Sequence, residues 1–569
     1  MKIALIFPPG WETTQPYLGL PALKAYVENA CHQASLQDLN IEFFDFLTSK
    51  EGLTSAYQFT SLDSSDDVER LLCTIRSSLI QEVEAAKHVL RSDDFFDEVK
   101  RTQSFRVLDL AFQVQQYVFP NMQLSFGRLR VKVDSLTDDT LRQLLDSEDD
   151  ALQLWYRDHF IPTLELDHPD LIGISIVNYD QLLPALILAK EIKRLYNSVH
   201  LTLGGDIATR LAIPIINHPY AGKIVDSVVC GEGEKSLLAL LDWMQKDGDN
   251  RLLFDVPNLC FRTEDGTITR TQSAEPVPCQ ALPTPDFSGL PLTKYFAPRL
   301  VLPVEAGRGC YWNKCGFCEE VGKPYRHHSA DTVVKHISDL ASRFGSTYFS
   351  FTDSSMSPTF IKEFSAELLA QDIKIYWRAL VRAEASFDQI TAAMASEAGC
   401  RMLLIGVEST VQRIRDLICK GGSVAQTTMM LNNLKDQDIW THCYFMTGLP
   451  SETIEEAMES VKYIRGNSVI IDSVGLSDFV ACKGAPITDR LSELHVEIDE
   501  CATNPWTLHF AHLQGNIMDN DQKEIIHKAF NEALAELKTK VNVWLQLHVN
   551  HLFLQMAFKG RKSLARISP

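Results

Sequence analysis

Three cysteines, Cys310, Cys315 and Cys318, fall within nine residues of the stretch EAGRGCYWNKCGFCEEVGKPYR, which runs from Glu305 to Arg326. Thiolates this close together are soft metal ligands, and three uses of them compete. They can be packed core thiols, although a loop flanked by glycine and charge is a poor place to bury three of them. They can hold structural zinc, which needs a fourth ligand such as His327 or His328 to close its tetrahedron. They can also hold a cubane iron–sulfur cluster, which normally takes four thiolates; with three, one iron keeps an open position for a small chelating ligand. The residues alone leave all three open.

The elements around the trio narrow its setting. VLPVEA, TYFSFT, KIYWRA, MLLIGV, THCYFMTG and DSVGLSDFV read as strands, with amphipathic helical segments between them. Six such units predict a partial (βα)6 barrel over 297–495, whose site lies at the carboxyl ends of the strands. Cys310 stands just beyond the first of them. The segment 496–569 reads as mostly helical, including KEIIHKAFNEALAELKTKVNVWLQLHVNHLFLQMAF.

The first half predicts another α/β unit. KIALIFPPG reads as a strand ending in a turn, LGLPALKAYVENACHQ as a helix, and IEFFDFL as the next strand. From 49 to 168 the pattern changes to acidic helical segments, which predict an inserted subdomain. DLIGISIV, LLPALILAKEIKRLY, VHLTLGGD and DSVVCGEGEKSLLALLDWM then resume strand–helix alternation, the pattern of a parallel sheet with right-handed crossovers. The expected organisation is a doubly wound, Rossmann-like domain over 1–250 with its helical insert at 49–168. A proline-rich connector over 251–296, with a hairpin signal in RTEDGTITRT, leads to the barrel. In such a sheet the turns after the strands carry function, here around Ser175, Gly204 with Gly205, and Gly231 with Glu232. A Gly-Gly pair alone fits any nucleotide-binding turn, and Glu408 can simply pair with Arg382 in the barrel core.

Composition excludes other classes. Of the 569 residues 45% are hydrophobic and 22% charged, which is globular rather than disordered or fibrous. A net charge of -20 disfavours nucleic acid and anionic lipid as partners. The opening MKIALIFPPGW is too short an apolar run for an export signal, and no run approaches a membrane span, so a cytoplasmic location and no membrane partner are expected. In a reducing compartment the remaining cysteines are expected to be free thiols.

Several motifs in order resemble one family. RGCYWNKCGFC, with Phe317 before the last cysteine, is similar to the cluster-binding loop of the radical S-adenosylmethionine (SAM) enzymes. VRAE around Arg382, IGVEST from Ile405 to Thr410, Lys420-Gly421-Gly422 and MTGLPSET from Met446 to Thr453 stand where that family's motifs stand. The spacing departs from the usual three-then-two: four residues, Tyr311 to Lys314, separate the first two cysteines. In the first half, PYLGLPALKAYV, GISIV, QLLPALILAKEIK, LTLGGD and DSVVCGEGEKSL resemble the cobalamin-binding domain of the B12-dependent branch. The Asp-x-His-x-x-Gly signature of a cobalt-ligating histidine is absent, since LDHPDLIG has the letters in another spacing; the chain resembles the branch in which no protein histidine ligates cobalt.

The resemblance implies a [4Fe-4S] cluster on Cys310, Cys315 and Cys318, with SAM chelating the open iron and Phe317, Arg382, Glu408 and Ser409 lining the SAM pocket. It implies cobalamin against Ser175, Gly204, Gly205, Gly231 and Glu232. An electron from a donor such as flavodoxin or ferredoxin would cleave SAM to a 5′-deoxyadenosyl radical, and a second SAM would methylate cobalamin. The implied reaction is C-methylation of an unactivated carbon in a peptide or natural-product intermediate, the peptide reading resting on a loose likeness of YRHHSADTVVKHISDLASRFGSTYFSFTD to peptide-maturation members. Cyclisation, ring contraction or redox chemistry is the alternative within the family. A zinc-stabilised binding protein with degenerate cofactor pockets is the alternative outside it. No residue is assigned as a catalytic acid or base.

Overall fold

The computed structural model describes residues 1–61, 65–133, 135–147, 150–246, 253–499, 504–510, 513–537 and 548–561. The chain divides into two compact units, Met1–Leu300 and Val301–Pro569.

The first unit starts with β1 (Lys2–Phe7), a helix (Gly19–Asn29) and β2 (Gln33–Asp38). IEFFDFL, read above as the second strand, lies instead in the helix Leu39–Leu47. The reason is positional. β2 is the edge strand of the sheet and pairs on one side only, with β1, so the half-exposed sequence QASLQD suffices for it. The richer apolar run buries Ile41, Phe44 and Leu47 along a helix face, and the Asp38 carboxylate starts that helix by accepting from the Ile41 N–H at 3.1 Å.

Between β2 and the next sheet strand come the antiparallel-neighbour helices Asp67–Leu90 and Glu98–Val118, a small hairpin of β3 (Met122–Ser125) and β4 (Arg128–Val131), and short helices ending at Asp167. The sheet resumes with β5 (Leu171–Ser175), β6 (His200–Gly204) and β7 (Ser227–Val229). RTEDGTITRT forms the turn of a hairpin between β8 (Leu259–Arg262) and β9 (Ile268–Arg270). The strand order is β2-β1-β5-β6-β7-β8-β9, parallel through β7 and antiparallel at the hairpin. Ile3, Ala4, Ile6, Leu171, Ile172, Leu201 and Leu203 are fully buried, as strands covered on both faces require.

The second unit opens with β10 (Val301–Val304), followed by the two-residue ribbon of β11 (Gly307–Arg308) and β12 (Arg326–His327), which brackets the cysteine loop. Helices then alternate with β13 (Tyr348–Phe351), β14 (Tyr376–Arg382), β15 (Cys400–Glu408), β16 (Trp440–Thr447) and β17 (Ser473–Asp478). These six strands are parallel and lie in chain order, the open barrel expected of six βα units. Of the tail, the structure describes the helices Asn520–Leu537 and Val549–Lys559; residues 538–547 of the predicted helical stretch lie outside the described residues. Asn550, His551, Phe553 and Gln555 are buried to within 1%, and Asn550 accepts from Arg378 Nε at 2.8 Å on β14, which fixes this helix against the strand.

Two backbone constraints lead the chain out of its strands. Gly399 precedes β15 with φ +90°, and a Cβ there would sit 1.9 Å from the Ile375 carbonyl oxygen. We therefore expect Gly399→Ala to lower unfolding stability by at least about 2 kcal/mol, read as a drop in urea midpoint. Beyond β10, the Ala306 and Gly307 N–H groups donate to the two carboxylate oxygens of Asp353, at 2.9 and 2.7 Å. Burial pushes this carboxyl up to about 7 despite those bonds. The folded chain thus holds a proton that the unfolded chain releases from about pH 4 upward, so this group's contribution falls as pH rises to about 7, by at most about 1.4 kcal/mol per pH unit. In Asp353→Asn the urea midpoint should decline less over that window than in the parent chain.

Candidate functional site

The parallel registers put the ends of β10, β13, β14, β15 and β16 at one edge, and the cysteine loop leaves the first of them. Cys315 is buried, and Cys310 and Cys318 are partly so. Burial pushes the Cys315 thiol up; Lys420 and Arg382 oppose this, while the neighbouring Cys318 and Cys310 add to it. Burial likewise raises Cys318, again with Cys310 adding and Lys420 opposing. Lys420 thus stands near both Cys315 and Cys318, and it opposes without cancelling the effect of their burial. The loop is fastened by its middle residue: the Gly316 N–H donates to the Ile418 carbonyl at 2.8 Å, and the Gly316 carbonyl accepts from the Ile487 N–H at 2.8 Å. Phe317 packs against the apolar cluster of Ile414, Ile418, Leu449 and Ile487.

Arg382 ends β14 and Glu408 ends β15, but they do not pair with each other. Arg382 Nη1 meets Glu384 at 3.1 Å, and Nη2 donates to the Lys420 carbonyl at 2.5 Å. Its Nε is buried with no partner among the described residues. Glu408 takes Lys420 Nζ at 2.9 Å, both side chains being no more than 10% exposed. This pair explains the shape of IGVEST. The register shifts between Gly406 and Glu408, Glu408 adopts φ +65°, and a Cβ at Gly406 would stand 2.7 Å from both Glu408 Oε1 and Lys420 Nζ. The fully buried Arg415 then ties the bulge down: Nη1 donates to the carbonyls of Val407 (2.9 Å) and Ser409 (3.1 Å), and Nη2 to that of Gly421 (2.8 Å). Ser409 is fully buried and its hydroxyl accepts from the Val411 N–H, so it shapes the turn.

Cys310, Cys315, Cys318, Phe317, Arg382 and Glu408 thus share one neighbourhood. Sequence reasoning passed over Lys420 as a site residue, although it stood in a quoted landmark. Trp312, with Tyr311, reads from the sequence as lid packing, whereas its ring lies 3.7 Å from the Arg382 guanidinium, a contact that nothing in the motif spacing marks. The two histidines offered as a fourth zinc ligand turn elsewhere: His327 stacks on Tyr325 with centroids 5.5 Å apart, and His328 packs edge-on against His336 at 5.2 Å. Among the described residues no three His, Cys, Asp or Glu side chains are arranged to hold a single metal ion.

In the first unit Ser175, Gly204 and Gly231 stand at or just past the carboxyl ends of adjacent strands, with Ser175 paired to Gly204 in register. The two glycines of the pair differ in role. Gly205 has φ +95° and lies so close to the Ile176 carbonyl that a Cβ would meet its oxygen at 2.4 Å, whereas a Cβ on Gly204 or Gly231 would have no atom within 4 Å. The first is needed for the turn, the others leave an open cradle. Glu232, half-buried, follows Gly231, whose N–H donates to Thr209 Oγ1 at 2.8 Å. After β1, Thr13 and Gln15 are buried, and Thr13 Oγ1 and Gln15 Oε1 have no hydrogen-bond partner among the described residues, a feature with no signature in the sequence. No described helix is long and apolar enough to cross a membrane.

Comparison with known proteins gives this geometry its setting. Residues 304–464 match the radical SAM superfamily. The chain is 28% identical over 305 residues to an uncharacterized methyltransferase of Pyrococcus horikoshii, covering 52% of this chain and 64% of that protein. It is 26% identical over 315 residues to the anaerobic magnesium-protoporphyrin IX monomethyl ester cyclase of Rubrivivax gelatinosus, covering 52% and 54%. The match therefore spans less than two thirds of either relative. Among solved structures, the cobalamin-dependent SAM radical enzyme OxsB with aqua-cobalamin and SAM bound superposes with a TM-score of 0.59 at 14% identity, over 95% of this chain and 67% of that one. The radical SAM methyltransferase TsrM from Kitasatospora setae, with cobalamin and a [4Fe-4S] cluster bound, gives 0.56 at 15%, over 96% and 89%. The segment bearing the three cysteines is a radical SAM domain, and the chain as a whole has the fold of the cobalamin-dependent radical SAM enzymes.

Proposed function

We propose that this protein is a cobalamin-dependent radical SAM C-methyltransferase acting on a peptide or natural-product intermediate. The observation that carries the reading is the loop of three free cysteines that follows the first strand of the six-stranded parallel sheet, within the radical SAM match. The donor set fits a cubane lacking its fourth protein ligand: Cys310, Cys315 and Cys318 would hold it. The unpartnered Arg382 Nε, buried beside them, suits an anionic group such as the carboxylate of SAM. In the other unit, the open faces of Gly204 and Gly231 and the buried Thr13 Oγ1 and Gln15 Oε1, which lack a partner among the described residues, suit cobalamin, with Ser175 and Glu232 at the same sheet edge as the glycines. When bound, the cluster and SAM supply radical initiation, and cobalamin supplies a transferable methyl group.

The chain's own residues position and shield. Lys420 offsets the negative charge of the thiolates while Glu408 fixes its ammonium, and the buried cation makes the pocket favour anions. Phe317 and the apolar cluster beneath it keep water from the loop's inner side. A single-electron donor of the flavodoxin or ferredoxin class would be required.

Cyclisation without methyl transfer is the second reading, favoured by the likeness to a protein named as a monomethyl ester cyclase. TsrM was solved with tryptophan as substrate and a SAM analogue, which supports small aromatic natural-product precursors as first candidates. Protein made without oxygen and with cobalamin should contain iron near four per chain together with cobalt. It should form 5′-deoxyadenosine or S-adenosylhomocysteine from SAM; product one methylene heavier than substrate marks methylation, and unchanged carbon count marks the second reading. Zinc without iron or cobalt would refute both. Lys420→Met, which leaves Glu408 buried and unpaired, should weaken SAM binding by about tenfold or more in equilibrium dialysis.

A further inference from the structure

The four residues between Cys310 and Cys315 each have a distinct engagement. Arg382 stands over Trp312, guanidinium carbon to ring centroid 3.7 Å, and the indole donates its Nε1–H to the Cys419 carbonyl at 2.9 Å. Lys314 Nζ lies 5.0 Å from the centroid of the same ring, so two cations stand near the indole. Tyr311 stands 5.8 Å from the Arg382 guanidinium. Asn313, with φ +51°, turns the loop, accepts from the Gly322 N–H at 2.7 Å and donates Nδ2–H to the Lys323 carbonyl at 3.3 Å. The receiving surface is shaped for the indole as well. Gly421, at φ +70°, comes so near the ring that a Cβ would meet Trp312 Cζ2 at 2.4 Å and Cη2 at 2.7 Å. Cys419 is also left-handed, at φ +53°, which presents its carbonyl as the acceptor.

We propose that Trp312 is a positioning residue that latches the cysteine loop onto the Cys419–Gly422 turn, and that the longer first gap exists to supply this latch. The inference rests on the radical SAM reading for what the loop holds, though not for the latch itself. The indole gives the loop a hydrogen bond and a cation–π contact at its start, where Gly316 fastens only its middle. The same ring holds Arg382 in place, and Arg382 donates to the Lys420 carbonyl, so the latch also steadies the cation that serves the thiolates.

The test uses full-length protein in four forms: parent, Trp312→Phe, Trp312→Ala and Gly421→Ala. In metal-free protein, amide hydrogen exchange over residues 310–318 should quicken by roughly tenfold or more in Trp312→Ala. Gly421→Ala, which keeps the indole but fills its seat, should match it. Trp312→Phe keeps a ring over Arg382 without the hydrogen bond and should fall between. In protein carrying iron, release to a ferrous chelator should follow the same order, with the thermal unfolding midpoint of Trp312→Phe close to that of the parent. Equal exchange in parent and Trp312→Ala overturns the latch, whatever the iron content. Quickened exchange in protein that never takes up iron keeps the latch and overturns the radical reading.

Discussion

An ammonium and a carboxylate held almost out of water, Lys420 and Glu408 at 2.9 Å, set the terms for the rest of the cysteine-bearing unit. Neither partner tolerates losing the other at that burial, so the backbone is bent to keep them together. The strand bulges at its last turn, Glu408 takes a left-handed conformation, position 406 must lack a side chain, and Arg415 is spent entirely on carbonyls to hold the bulge. The benefit is electrostatic. A fixed positive charge stands near Cys315 and Cys318 and opposes part of the push that burial gives their thiols.

The other unit solves its problem with space rather than charge. Parallel strands bring Ser175, Gly204 and Gly231 to one edge, and absent side chains leave that edge open. The two units thus offer different kinds of receptacle on one chain, a charged one built around thiols and a bare one built around glycine.

Much of this was legible in the sequence, for definite reasons. The inner barrel strands are largely buried and parallel, so β13, β14, β15 and β16 show as apolar runs between amphipathic helices, whereas the edge strand SVGLSD is mostly half-exposed. Edge strands carry no such mark: QASLQD was passed over in favour of IEFFDFL, because an edge needs pairing more than hydrophobicity. The thiols could be named from their spacing, but their partners could not. Arg382 and Glu408 were each picked out, yet the partner of Glu408, Lys420, depends on a bulge that no local pattern announces, and Arg382 turns to Glu384 two residues on. Trp312 in sequence is one aromatic residue in a loop; its meaning comes from a glycine more than a hundred positions away.

The insertion between β2 and β5 has a consequence for how the protein is made. The β1–β5 pairing of the first sheet joins Ile3 to Leu171, and the Lys2 N–H reaches Asp170 across 168 residues. Loop-closure entropy grows only slowly with length, so the equilibrium is little affected, but the search is long. The helices Asp67–Leu90 and Glu98–Val118 pair locally and can form while the N-terminal strand still waits for its neighbour. During synthesis, the apolar strand β1 emerges well before β5 exists, with only the polar edge strand β2 to pair with, which leaves its other side open to aggregation in that interval.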